Sequence, residues 1–134
     1  MSKFCQAVEN ADLGSTLDDM QTDFTVFAPS NDAFDGFRLN GMNFNDNNRS
    51  TRKNVLLTHV VKDRVLDEGD LKNRCGDLLT MATGKNTRTI CKDMDYNLYQ
   101  KGNGNSDNSK PKVIKSDIGA CNGIVHVVNK IILP

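Results

Sequence analysis

The chain has 134 residues, 37% of them hydrophobic, and its 17 basic and 17 acidic side chains give a formal net charge of zero. This length suits one domain with one core. A neutral surface argues against nucleic-acid binding, which needs a basic stripe. No stretch approaches the roughly 18 apolar residues of a membrane helix, and the first residues lack the pattern of a signal peptide. We therefore expect no nucleic-acid partner and no direct membrane insertion by this segment.

The first third of the chain combines helical patterns with one strand. Apolar residues over positions 4–17 have helical spacing with one interruption, which predicts a helix and then a second short one. Residues 24–28 alternate apolar and polar side chains and predict a strand that stops at Pro29. A short helix should follow, capped by Ser30 or Asn31.

The remainder of the chain changes from helical to strand patterns. Residues 39–50 have the Asn, Gly and Asp density of a loop. Residues 50–61 are predicted as a helix capped by Ser50 or Thr51 that runs into a short extended piece, and residues 67–70 as a turn. Period-two patterns then predict strands over residues 77–82, 87–92, 96–101, 112–118 and 124–133. Helices early and strands late indicate an α+β domain with an antiparallel or mixed sheet.

The last segment is the most concentrated run of β-branched residues in the chain. Ile124, His126 and Val128 point to one face of the predicted strand. Val125 and Val127 point to the other face, so both faces are mostly apolar and the strand should lie inside the fold. His126 is the polar exception.

Four segments resemble a known family in the correct order. Residues 24–34, Phe-Thr-Val-Phe-Ala-Pro-Ser-Asn-Asp-Ala-Phe, closely resemble the first signature of the fasciclin domain family, and residues 122–134 resemble its second signature. Residues 56–61, Leu-Leu-Thr-His-Val-Val, are similar to the central segment of the family, in which tyrosine usually precedes the histidine. Thr58 takes the place of that tyrosine. Residues 116–120, Ser-Asp-Ile-Gly-Ala, are similar to the Asp-Ile motif of several fasciclin adhesion proteins.

This resemblance implies both a fold and a function. The fold is an α+β, fasciclin-like, wedge-shaped β-sandwich with helices packed on one side, and residues 1–134 form a single domain cut from a longer secreted or cell-surface protein. The implied function is that of a non-catalytic extracellular module for cell adhesion or matrix recognition, which binds a cell-surface or matrix protein or a glycan. Some animal members bind integrins, and their tyrosine-histidine and Asp-Ile segments are the proposed contacts. The matching partner-binding residues are Thr58, His59, Ser116, Asp117 and Ile118.

The four cysteines form no C-x-x-C pair, which disfavours zinc and thioredoxin-like sites and favours two disulfides with three possible connectivities. Cys75 and Cys91 flank a hairpin-like segment, so we expect them to pair. That pairing leaves Cys5 to meet Cys121.

Two loop-like stretches suit an extracellular surface. Asn48 begins an Asn-Arg-Ser acceptor sequence for N-glycosylation within a polar stretch. The loops at residues 40–50 and 102–111 are rich in groups that can form hydrogen bonds with glycans or proteins, and loops often carry binding sites.

Two histidines and four cysteines also raise the question of catalysis or metal binding. No local motif combines a nucleophile, a base and an oxyanion donor, and the spacing fits no zinc site. Residues 93–97 begin like a calcium loop, but Leu98 stands where glycine is needed and Gly104 where a glutamate is needed. We therefore predict no catalytic, cofactor-binding or metal-binding residue, and we expect His59 and His126 to be buried hydrogen-bonding groups.

Two alternatives remain open. The chain is a structural component of the extracellular matrix that acts through self-association, or it is a small secreted enzyme that uses cysteine and histidine.

Overall fold

Seven strands form two sheets in the computed structural model, which describes residues 23–37, 42, 44–62, 64–92, 97–120 and 123–134. One sheet has the order β2-β1-β7-β6, and the other has the order β3-β4-β5. The strands are β1 Phe24–Pro29, β2 Val60–Lys62, β3 Leu78–Thr80, β4 Asn86–Lys92, β5 Asn97–Lys101, β6 Val113–Ala120 and β7 Gly123–Val128. The helices predicted over residues 4–17 lie outside the described residues.

The closing strand β7 lies inside the four-stranded sheet, as its two apolar faces predict. It pairs in parallel with β1 and antiparallel with β6, so the sheet is mixed. The predicted strand over residues 124–133 is too long, because the chain bends at Asn129 and Lys130 after Val128. Ile131 and Ile132 remain buried beyond the bend, which explains why their β-branched side chains looked like strand residues.

The two sheets are joined at both edges. At one edge the Ala82 N–H donates to the Val60 carbonyl at 2.7 Å. At the other edge Tyr99 forms an antiparallel bridge with Lys112. These contacts close the sandwich, and closure leaves fewer strand edges that could pair with another chain.

Two helices pack on the outer face of the four-stranded sheet. The first, α1, spans Asn31–Asp35 and is capped by Ser30, one of the two predicted caps. The second, α2, spans Arg49–Leu57. Its cap is Asn48 and not Ser50 or Thr51, because the Asn48 Oδ1 accepts a hydrogen bond from the Thr51 N–H at 2.8 Å. Asn and Ser are about equally good helix caps, so residue type alone did not decide between them.

A third helix, α3, spans Glu68–Lys72, where the sequence was interpreted as a turn. The turn prediction was wrong because Asp67 and Asp70 form a reciprocal capping box. The Asp70 N–H donates to the Asp67 Oδ1 at 2.7 Å, and the Asp67 N–H donates to the Asp70 Oδ2 at 3.1 Å. These two bonds satisfy backbone groups that a short helix otherwise leaves exposed.

The buried side chains form two clusters, one on each face of the four-stranded sheet. Between this sheet and the helices lie Val26, Ala28, Ala33, Phe34, Phe37, Phe44, Val55, Leu56, Val60 and Ile131. Between the two sheets lie Phe27, Val61, Leu66, Leu71, Leu79, Met81, Leu98, Val128 and Ile132. The predicted α+β sandwich is therefore confirmed, with α1 and α2 on one face of the four-stranded sheet, whereas α3 contributes Leu71 to the core between the sheets.

A disulfide joins Cys75 to Cys91, with their Cα atoms 5.4 Å apart. It links the turn after α3 to β4. The predicted pairing of Cys5 with Cys121 lies outside the described residues.

Candidate functional site

Thr58 and His59, which the resemblance implied as partner contacts, have no solvent exposure. The Thr58 hydroxyl donates to the Asn54 carbonyl at 2.7 Å, so it completes the last turn of α2. Neither side chain is on the surface where a partner could touch it in this conformation.

The His59 ring connects α2 to the end of the chain. Its Nδ1 lies 2.7 Å from the Val55 carbonyl, and its Nε2 lies 2.9 Å from the Ile132 N–H. Because a carbonyl only accepts and an N–H only donates, Nδ1 must carry the proton and Nε2 must be the acceptor. Desolvation by burial lowers the pKa of His59 from 6.5 to about 4, although its hydrogen bond to Val55 favours the charged form.

Asn105 fastens the same C-terminal segment, a role that the local sequence does not show. Its Oδ1 accepts from the Gly102 and Leu133 N–H groups, each at 3.0 Å, and its Nδ2 donates to the Ile131 carbonyl at 3.1 Å. Asn105 is only 6% exposed. Within the predicted contact loop at residues 102–111, Asn105 therefore has a structural role.

Ser116, Asp117 and Ile118 lie on the surface, at a bulge in β6. The pairing of β6 with β7 shifts register between Lys115 and Ile118. Asp117 has a φ of 60°, the left-handed conformation that few residues other than glycine adopt. Asp117 is exposed, and Ser116 and Ile118 are half-buried. We call residues 116–118 the β6 bulge.

Polar contacts tie the β6 bulge to the start of α3. The Glu68 N–H donates to the Asp117 Oδ1 at 2.8 Å. The Ser116 hydroxyl donates to the Glu68 Oε2 at 3.2 Å, and Glu68 also pairs with Lys72 at 3.3 Å. The bulge is thus supported by an adjacent helix and does not hang free.

A buried network lies directly beneath this surface. The His126 Nδ1 accepts from the Asp117 N–H at 3.3 Å, and its Nε2 donates to the Leu66 carbonyl at 2.7 Å. The Thr25 hydroxyl accepts from the Leu66 N–H and donates to the Arg64 carbonyl, both at 2.8 Å. His126 and Thr25 are fully buried, so both are internal supports for the segment that leads into α3.

Two open clefts border the candidate surfaces. A polar cleft of about 270 Å³ adjoins the β6 bulge, and its lining residues are Glu68, Lys72, Asn97, Leu98, Val113, Ile114, Lys115 and Ser116. A cleft of about 420 Å³ lies between α1 and the C-terminal segment, and it includes Asp32, Phe37, Asn129 and Lys130. Ile114 is 54% exposed beside the first cleft, which gives that polar surface one apolar contact point.

Other predicted sites are placed as follows. Asn48 is exposed at the start of α2, so its acceptor sequence lies on the surface. The calcium-like segment is mostly outside the described residues. Within the part of the chain that the structure describes, no three His, Cys, Asp or Glu side chains are grouped to hold a metal ion.

The fold defines the chain as an α+β module built on a two-sheet sandwich. The fasciclin domain description matches residues 1–134. The chain therefore belongs to the fasciclin domain family.

Individual relatives agree with this membership. The chain is 28% identical over 139 residues to protein sll1483 of Synechocystis sp.. This match covers 99% of the chain and 67% of the relative. It is 30% identical to the transforming growth factor-beta-induced protein ig-h3 of Sus scrofa and 28% identical to periostin of Homo sapiens. The chain spans only 17% and 14% of the lengths of those two animal proteins.

A solved structure has the same fold. A FAS1 domain pair from the insect cell adhesion molecule fasciclin I superposes with a TM-score of 0.70 at 23% sequence identity. The match covers 98% of this chain and 44% of that chain.

Within the described residues, every helix is too short or too polar to cross a membrane.

Proposed function

We propose that this chain is a non-catalytic adhesion or recognition module that acts outside the cell and contacts its partner through the β6 bulge and the adjoining polar cleft. The observation that carries this proposal is the exposure of Asp117 at a bulge that hydrogen bonds hold in place. Its backbone has a left-handed conformation, its N–H and carboxylate are hydrogen-bonded, and the residue is exposed to solvent. Preorganised surface groups lose little conformational entropy when they bind. The adhesion role is supported by the fold shared with an insect cell adhesion molecule.

The chemistry of the surface suits a protein or glycan partner. Lys72, Lys115 and Glu68 supply both signs of charge, and Asn97 supplies an amide. Exposed Ile114 adds an apolar contact. A polar cleft with one apolar point fits a side chain or a sugar better than it fits a lipid chain.

Two features support an extracellular location. The Cys75–Cys91 disulfide would persist in an oxidising compartment. Asn48 is exposed, as a glycosylated asparagine must be. Cell-surface or matrix proteins and their glycans are therefore the partners we propose.

The available chemistry argues against the enzyme alternative. Cys75 and Cys91 are joined to each other, and a disulfide-bonded sulfur is not a free thiolate. Both nitrogens of His59 and of His126 are engaged with backbone groups, and both rings are fully buried. Neither ring can act as a general base without leaving its place in the core.

Cell attachment tests the proposed contact. The chain is immobilised, and the attachment of cultured animal cells is compared with that of a variant carrying Ser116→Ala, Asp117→Asn and Ile118→Ala. Leu78→Ala is the matched control, because Leu78 is 53% exposed on the other sheet. We expect the triple variant to lose at least about fivefold in attachment and the control to lose little. Equal attachment by all three proteins would contradict the proposed surface.

Self-association is a second candidate because four large apolar side chains are exposed in the described part of the chain, including Met42 and Val65. The two most exposed, Leu78 and Ile114, lie on strands of different sheets, with 53% and 54% exposure. Sedimentation across a wide concentration range tests this function directly. A chain that stays monomeric at the highest concentration would rule out this alternative.

A further inference from the structure

The β6 bulge depends on a group that is not itself on the surface. Asp117 is the non-glycine residue with a positive φ in the described part of the chain. A left-handed conformation disfavours an L-residue, although Asp tolerates it better than most because its short side chain can form local hydrogen bonds. Two contacts hold it there, one from each side: Glu68 N–H to the Asp117 carboxylate and Asp117 N–H to His126.

The His126 ring has one arrangement that satisfies both of its neighbours. The Leu66 carbonyl requires a proton on Nε2, and the Asp117 N–H requires a lone pair on Nδ1. The ring is fully buried beside the Phe27 ring, with centroids 5.6 Å apart, so its position is fixed by packing as well. No water is needed to explain either bond.

Loss of the Nδ1 acceptor would leave the Asp117 N–H without its inward partner. This bond is partly buried, so loss of the acceptor is unfavourable for the donor and removes one support of the left-handed backbone. Rotation of Asp117 towards an extended conformation would turn the neighbouring side chains, because successive residues of a strand face opposite sides. Ser116 and Ile118 would then present a different surface.

We propose that His126 is a positioning residue for the candidate contact surface: its Nδ1 holds the Asp117 backbone in the left-handed conformation and so sets the directions of the side chains in the β6 bulge. This inference rests on the proposed function for the use of the surface. The conformational claim itself stands on the contacts of Asp117 and His126 and does not depend on a partner.

Two substitutions of His126 test the roles of its two ring nitrogens one at a time. In His126→Gln the longer amide reaches towards the Nε2 position and can still donate to the Leu66 carbonyl, but it leaves the Asp117 N–H without an acceptor. In His126→Asn the shorter amide places an oxygen near the Nδ1 position, where it can accept from Asp117, and it gives up Leu66. Both replacements keep a polar, uncharged side chain of intermediate size.

Amide hydrogen exchange in the full chain is the measurement. We expect the Asp117 amide to exchange about tenfold faster in His126→Gln and to stay within about threefold of wild type in His126→Asn. The Val127 and Val128 amides on β7 serve as internal references for general destabilisation. Equal exchange of Asp117 in the two variants, after correction by these references, would overturn the positioning role.

A second measurement does not depend on either variant folding. Nitrogen NMR of the wild-type imidazole reports which ring nitrogen carries the proton. The proposal requires the proton on Nε2 of His126. A proton on Nδ1 would be incompatible with the Asp117 bond and would overturn the proposal.

Cell-attachment assays of the same variants distinguish the positioning role of His126 from the contact role of the β6 bulge. If His126→Gln accelerates the exchange of Asp117 while attachment is unchanged, the positioning role is supported and the contact role of the bulge fails. If attachment falls while the exchange of Asp117 matches wild type, the positioning role fails and the contact surface must be affected by another route.

Discussion

His59 and His126 are both fully buried, and each uses one ring nitrogen as a donor and the other as an acceptor, with the roles reversed. His59 accepts from Ile132, which is itself completely buried. His126 accepts from Asp117, whose side chain is exposed. The same chemistry therefore fastens an internal segment in one region and shapes a surface in the other.

The comparison separates stability from recognition. In the region around His59, the held segment forms part of the core, so a change there should appear as lost stability. In the region around His126, the held segment forms the candidate contact, so a change there should appear as altered presentation as well. A buried residue can thus affect binding without touching the partner.

The largest effect is expected at His59. His59→Ala removes a fully buried ring and leaves the Ile132 N–H without a partner, so we expect a loss of about 4 kcal/mol in the free energy of unfolding. Urea denaturation measures this loss. His59→Gln is the matched variant, since its amide can still accept from Ile132 and should recover part of the stability. A loss below about 1 kcal/mol for His59→Ala would contradict the role assigned to the ring.

The next largest effect is expected from acid, which should reduce the stability that His59 contributes to the fold. Burial lowers the pKa of His59 to about 4 from 6.5, so the unfolded chain takes up a proton at this site before the folded chain does. The contribution is therefore fully present above pH 6.5 and is lost as the pH falls towards 4, by about 3 kcal/mol in total. Denaturation curves across this pH range, with His59→Gln as the reference, isolate the contribution of His59 to the free energy of unfolding. Identical pH dependence in the two proteins would show that His59 does not cause it.

The sequence predicted the fold better than it predicted the candidate contact surface. The alternation in β7 placed His126 on the face shared with Val128, and the family signatures identified the sandwich. The capping box at Asp67 and Asp70 was also present in the sequence as a three-residue spacing, but the density of Asp and Gly around it indicated a turn instead. That signal could have identified α3.

The contact surface could not be predicted in the same way, because long-range contacts create it. Asp117 bonds to Glu68 across a separation of 49 residues, and Asn105 bonds to Leu133 across 28. No local pattern encodes such pairs. Thr58 and His59 looked like contacts because of the resemblance, but side-chain burial depends on how α2 packs on the sheet. The residue type alone did not reveal it.

Removal of the Cys75–Cys91 disulfide tests whether α3 keeps its position without this covalent link. Replacing both cysteines, Cys75→Ser and Cys91→Ser, should lower the free energy of unfolding by about 3 kcal/mol, because the sequence separation of 16 closes a loop of moderate length. Calorimetry measures the loss. The turn after α3 also bonds to β4 through the Gly76 N–H and the Thr89 carbonyl at 2.7 Å, so the native fold should persist.

The same variant sharpens the comparison between the two regions. We expect the exchange of the Leu71 amide in α3 to accelerate, while that of the Ile132 amide follows only the global change in stability. The Asp117 amide should stay protected, since it donates to His126 on β7, and Glu68, which bonds to the Asp117 carboxylate, lies at the end of α3 away from the disulfide. Loss of protection at Asp117 would show that the bulge depends on the disulfide and not on the histidine beneath it.

The smallest effect is expected at Asn48, the N-cap of α2, which ends just before His59. Its Oδ1 caps α2, whereas an N-linked glycan would attach at Nδ2, so capping and glycosylation are compatible. Ser50→Ala removes the acceptor sequence and keeps the cap, and we expect it to change stability by less than about 0.5 kcal/mol. Asn48→Ala removes both and should lower stability by about 1 kcal/mol. Mass spectrometry of the chain secreted from eukaryotic cells would show a glycan on the wild type and none on either variant. A glycan-free wild type would contradict the proposed modification but leave the cap intact, because the stability difference between the two variants depends on the cap alone.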